Sequence, residues 1–185
     1  MPDPDQNPYP FSGLHPCVDL YLLRHGKAED AGAGRSDSDR RLTMKGRHEI
    51  TGIAAWIESQ DLSFDLIAAS PLVRAQETAA IVADTLGVPE RLMAWKVLVP
   101  GGDPDTVCRE IDTYAGADSI LLVGHEPLLS SLIGRIICGD ENAGIAMTKG
   151  ALAKIRDYSF CQRPSGELHW LLTAKQMGSL AHQER

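Results

Sequence analysis

Short apolar runs suited to buried strands alternate with stretches whose apolar residues recur at helical spacing, and few architectures accept that order. Residues 18–23 form the first run, broken only by Asp19 and stopping at Arg24-His25-Gly26. Residues 64–69 and 119–123 repeat the pattern, the latter ending at Gly124-His125-Glu126-Pro127. Between them lie helix signals. Thr43 reads as the N-cap of a helix with Ile50, Ile53, Ala54 and Ile57 on one stripe, after a Gly-, Ala-, Asp- and Ser-rich loop over 26–42. Ser70-Pro71 reads as a cap and first-turn proline for a helix carrying Ala75, Ala79, Val82 and Leu86, closed by Gly87. A weaker extended piece covers 91–99. Asp103-Pro104 starts a helix with Val107, Ile111 and Tyr114, and Pro127 opens another that runs to Gly139. Two late strands, 151–158 and 168–172, flank a Pro164-Ser165-Gly166 turn. The alternation predicts a three-layer α/β/α sandwich with a mainly parallel central sheet and room for an antiparallel edge.

One domain of 17–174 accommodates these elements within the 185 residues. Residues 1–16 hold five prolines with Asp, Gln, Asn and Gly, too little apolar material to offset ordering, and read as a flexible arm. The stretch 175–185 reads as a polar, frayed tail. Net charge is −7, so there is no basic excess for a nucleic-acid backbone or an anionic membrane surface. No apolar run approaches the ~18 residues of a membrane span, and no Lys or Arg precedes Arg24, so a basic-headed secretory signal is not expected. A cytoplasmic protein is the expectation. Cys17, Cys108, Cys138 and Cys161 form no C-x-x-C pair and read as scattered buried thiols, and Trp56, Trp95 and Trp170 as core or edge packing.

Ligands of open α/β sheets bind beyond the carboxyl ends of the strands, so the polar residues just after each run matter most. Arg24 and His25 follow the first, Ser70 and, one turn later, Arg74 follow the second, and His125 follows the 119–123 run. Two guanidinium forks and two imidazoles beside helix N-termini suit a tetrahedral dianion, which points to phosphate, with Ser70 a further candidate contact. Among fixed cations the protonated imidazole is disfavoured, which leaves His25 a ring nitrogen able to attack phosphorus. His15, His48, His169 and His182 have no such company.

Arg24-His25-Gly26 after a strand, Ser70-Pro71-Leu72-Val73-Arg74-Ala75 at a helix start and Gly124-His125 after a later strand resemble the histidine phosphatase, or phosphoglycerate mutase-like, superfamily. Ser36-Asp37-Ser38-Asp39-Arg40-Arg41-Leu42-Thr43 and Pro100-Gly101-Gly102-Asp103 resemble its small SixA-type phosphohistidine phosphatases, and the likeness runs from about residue 18 to residue 137. The resemblance implies that His25 accepts the phosphoryl group while Arg24, Arg74 and His125 hold its oxygens, and that Arg40 extends the pocket. It implies transfer from substrate to His25 and then to water, with no metal or other cofactor, since the arginines neutralise the charge.

Larger members of the superfamily supply an acidic proton donor from an inserted lid. Here the 51 residues from Arg74 to His125 are used up by predicted elements, and Val97 stands about where related small proteins carry a Glu. Glu126 is the spare carboxylate: a proton donor in one reading, a helix N-terminal carboxylate in the other. Arg40 and Arg41 beside Asp37 and Asp39 read equally as a solvated loop. A phosphohistidine leaving group needs less acid, because its protonated imidazole departs neutral. An open crevice and that chemistry favour a phosphorylated protein, such as a histidine-containing phosphotransfer domain. A broad phosphomonoesterase of small esters and a non-catalytic phosphoprotein-binding module are the competing expectations.

Overall fold

The computed structural model describes residues 17–30, 32, 36–114, 116–160 and 162–181; the arm expected over 1–16 and the end of the expected tail lie outside them. In chain order the elements are β1 (Val18–Arg24), α1 (Met44–Ser59), β2 (Leu66–Ala69), α2 (Val73–Thr85), β3 (Leu92–Ala94), α3 (Pro104–Asp112), β4 (Ser119–Gly124), α4 (Leu128–Cys138), β5 (Leu152–Phe160), β6 (Pro164–Leu172) and α5 (Ala174–Ala181). The six strands stand in the order β3-β2-β4-β1-β5-β6. The first four are mutually parallel, and β5 and β6 add an antiparallel edge.

Strand alternation builds two cores. Leu20, Leu22, Leu66, Ala68, Ile120 and Leu122 face one side, where α3 and α4 pack through Val107, Ile111, Leu129 and Leu132. Tyr21, Leu23, Ile67, Ala69, Leu121 and Val123 face the other, against α1, α2 and α5. A sheet covered on both faces needs the near-continuous apolar strands that the sequence shows.

Most helix boundaries follow their signals. Thr43 Oγ1 accepts from Gly46 N at 2.9 Å, Asp103 caps α3 through Thr106 N at 2.9 Å, and Gly139 ends α4 in the left-handed region. Five readings need correction. Ser70 does not cap α2: Leu72 holds the cap position without a side-chain bond, and the Ser70 hydroxyl accepts only from Leu72 N, at 3.4 Å, while it shares a shorter bond with His125. Pro164-Ser165-Gly166 lies inside β6, with proline buried at the strand start. A side chain at Gly166 would collide with Ile155 Cγ2 at 2.7 Å, so glycine serves close packing there. The region from Lys175 is helical in α5, since Met177 is fully buried against the α1–α2 side, a contribution of roughly 1.5–3 kcal/mol for a side chain of that size. Of the cysteines, Cys108 is buried, whereas Cys17 and Cys138 are exposed and Cys161 lies outside the described residues. The extended piece expected over 91–99 shortens to β3 and a 3-10 turn, Lys96–Leu98.

Candidate active site

Sheet register assembles the site. Arg24 pairs with Gly124 across β1 and β4, and Ala69 pairs with Val123 across β2 and β4. The ladder continues one residue further: His25 N donates to Gly124 O at 3.1 Å and Ser70 N to Val123 O at 2.9 Å. Three neighbouring strands therefore release His25, His125 and Ser70 at one edge, and Arg74 arrives from the first turn of α2. The rings of His25 and His125 lie 4.9 Å apart, inclined at 56°.

Two hydrogen bonds define the His25 tautomer. Nδ1 lies 2.8 Å from the Gly26 carbonyl, which only accepts, so Nδ1 carries the proton. Arg74 Nε donates to His25 Nε2 at 3.3 Å, which requires a lone pair there. The loop beneath is strapped to α2: Gly26 N donates to Thr78 Oγ1 at 3.2 Å, and that hydroxyl donates to Arg74 O at 2.7 Å. Gly26 must be glycine, since a Cβ would stand 2.7 Å from Ile50 Cγ1. Burial lowers the His25 pKa from 6.5 to about 4; the Gly26 bond opposes this, and Arg74, Arg24 and Lys149 add to it. Burial likewise lowers His125 to about 3, helped by His25 and Arg74.

Arg24 Nη1 donates to Met147 O at 2.6 Å, and among the described residues its Nε is buried without a partner, as is His125 Nδ1. His125 Nε2 shares a hydrogen bond of 2.9 Å with Ser70 Oγ. Arg74 is the most engaged group: Nη1 donates to Asp37 O at 2.7 Å and Nη2 to Asp37 Oδ2 at 2.9 Å. Arg40 joins through the same carboxylate, Nη1 to Asp37 Oδ1 at 2.7 Å, with its Nε on Glu29 O at 2.6 Å. Arg41 is exposed. Of the adjacent pair, Arg40 is the one tied to the cluster.

Glu126 is committed elsewhere. Its Oε1 accepts from Ser130 N at 3.1 Å and its Oε2 from Ser130 Oγ at 2.7 Å, so it serves one of the free N–H groups at the start of α4 and a hydroxyl beside it. Asp37 and Thr78 belong to the site without having been singled out. Thr78 carried a readable signal, a hydroxyl on the otherwise apolar stripe of α2. Asp37 lies in the stretch that carries the SixA-type resemblance, but as one of several acids in a polar loop it had no local signal for a place in the site. Among the described residues, no group of three or more His, Cys, Asp or Glu side chains is placed to hold a metal ion, and no helix is long and apolar enough to cross a membrane.

Fold and site define an α/β protein whose strand ends gather arginines and neutral histidines, a centre suited to a multiply charged oxyanion. A model of the histidine phosphatase superfamily, branch 1, matches residues 20–94. Phosphohistidine phosphatase SixA of Escherichia coli K12 is 28% identical over 158 residues, 84% of this chain and 94% of the relative. The phosphohistidine phosphatase SixA homolog of Haemophilus influenzae is 30% identical over 129 residues, 64% of this chain and 77% of the relative. A solved structure of the protein histidine phosphatase SixA complexed with tungstate superposes with a TM-score of 0.75 at 27% identity, covering 85% of this chain and 98% of that one. The chain belongs to the histidine phosphatase superfamily, and its similarity to the SixA phosphatases supports phosphatase activity.

Proposed function

We propose that the protein is a phosphohistidine phosphatase that uses His25 as its nucleophile and acts on a phosphorylated protein such as a histidine-containing phosphotransfer domain. The observation that carries this reading is the His25 tautomer: Nδ1 holds the proton against Gly26 O, and Nε2 keeps its lone pair beside Arg74. Nε2 attacks phosphorus in line as the bond to the substrate imidazole nitrogen breaks, and that nitrogen keeps the electron pair. The leaving ring departs neutral if it was protonated beforehand, so the step needs little acid from the enzyme. Water then attacks the phosphoryl group on His25 and returns Nε2 to its starting state.

Arg24, Arg74 and His125 hold the phosphoryl oxygens; among the described residues Arg24 Nε and His125 Nδ1 have no partner, which leaves both residues unused hydrogen-bonding capacity. Ser70 positions the His125 ring, and Arg40 lies one carboxylate away. No donor role falls to Glu126 while Ser130 engages both its oxygens. Among the described residues, the chain between Arg74 and His125 is spent on α2, β3, α3 and β4, with no inserted lid in that segment to stand before a protein-borne substrate. The relatives named phosphohistidine phosphatase support the same substrate class.

Incubation with a labelled phosphohistidine protein and, separately, an aryl phosphate tests the reading. The expected result is faster release from the protein, and an acid-labile phosphoenzyme that His25→Ala lacks along with turnover. Preference for the aryl ester would assign a small-ester phosphomonoesterase instead. No turnover of either would leave a phosphate-binding module. Full activity in the His25 variant would overturn the nucleophile.

A further inference from the structure

Asp37 places one carboxylate oxygen on each of two arginines, Oδ1 on Arg40 Nη1 at 2.7 Å and Oδ2 on Arg74 Nη2 at 2.9 Å. Two oxygens of a phosphoryl group would pair with the same forks in the same way. Arg74 does not need this carboxylate to hold its place. Its Nη1 stays on the main-chain carbonyl of residue 37, its Nε on His25 Nε2, and its side chain is only 6% exposed. The Asp37 side chain is 56% exposed, on a 3-10 turn, Asp37–Asp39, that buries no residue. The Asp37 end of both ion pairs faces solvent, which screens what they add to the fold.

We propose that Asp37 is a specificity-determining residue: its carboxylate occupies the arginine positions a phosphoryl dianion takes, and must be displaced before any oxyanion binds. The inference rests on reading the cluster as a phosphate site. Hydrogen bonds from Arg40 and then Arg74 hold the Asp37 carboxyl below the usual carboxylate range, so it is charged and competing at neutral pH. Free phosphate offers only its own charge against that competitor and binds weakly, which keeps the reaction product from blocking the site. A phosphorylated protein adds contacts outside the cluster and displaces the carboxylate with their help. Discrimination against small dianions thus comes from a built-in anion as well as from the open crevice.

Calorimetric titration of tungstate and of inorganic phosphate into the wild type, Asp37→Asn, Asp37→Ala and Asp37→Glu tests this. The Asn and Ala variants are expected to bind both anions about fivefold more tightly, the scale of one partly solvated charge pair. The Glu variant, which restores the competing charge, should stay near wild type. Unchanged or weaker binding in Asn and Ala would overturn the proposal and make Asp37 a strut for Arg74. Absence of oxyanion binding in every protein would overturn the phosphate-site reading itself, a separate result. In turnover, the Asn and Ala variants should also lower KM for an aryl phosphate more than for a phosphohistidine protein.

Discussion

In the proposed reaction a proton on His25 Nδ1 makes the chemistry available, because an imidazole bonded to a carbonyl on one side presents its lone pair on the other. The sequence placed His25 beside arginines; only the tertiary structure decided which nitrogen keeps its lone pair. Arg74 serves that nitrogen and the anion together, through Nε to His25 and through its terminal nitrogens to Asp37. Replacement of Arg24 or Arg74 by Ala should lower kcat/KM roughly 10²- to 10³-fold, the scale of losing one charge-stabilising donor, as read from steady-state kinetics on a phosphohistidine protein. Arg74→Lys should recover little of that loss, since an ammonium cannot bond His25 Nε2 and a phosphoryl oxygen from one rigid plane.

Between elements, the parallel pairing of β1 with β4 and β4 with β2 aligns the residues that follow the strands, and one slip in register would separate His25 from His125. Thr78 joins this edge to α2. Thr78→Val keeps the shape of the side chain but leaves Gly26 N–H buried without its acceptor. The expected cost is about 1–3 kcal/mol of unfolding free energy by urea titration, with a fall in kcat as the Arg24-His25-Gly26 turn loosens. The helix ends that the sequence marked with Thr43, Asp103 and Gly139 were legible because each satisfies its own backbone groups locally. Ser70 misled for the opposite reason. Its hydroxyl has a partner 55 residues away in His125, which local pattern does not contain.

Across the whole molecule, two histidines buried neutral tie stability to pH. Their folded values of about 4 and about 3 lie below the ordinary 6.5, so the unfolded chain takes up protons that the native state refuses. Stability from this source is complete above about pH 6.5 and falls as pH drops toward 4. Asp37, with its depressed carboxyl, adds a loss only at lower pH. Urea midpoints between pH 7 and pH 4.5 should therefore decline, and should decline less in His125→Asn; equal slopes would contradict the account. From the order of apolar runs alone, the chain was committed to a parallel α/β core with polar residues at the carboxyl ends of its strands, because burial on both faces demands that pattern. The long contacts were left to the tertiary structure. Asp37 against Arg74, Thr78 beneath Gly26, Ser70 on His125 and Met177 in the α1–α2 core each join segments distant in sequence, and their free energy depends on distances and desolvation that arise only once the layers have closed.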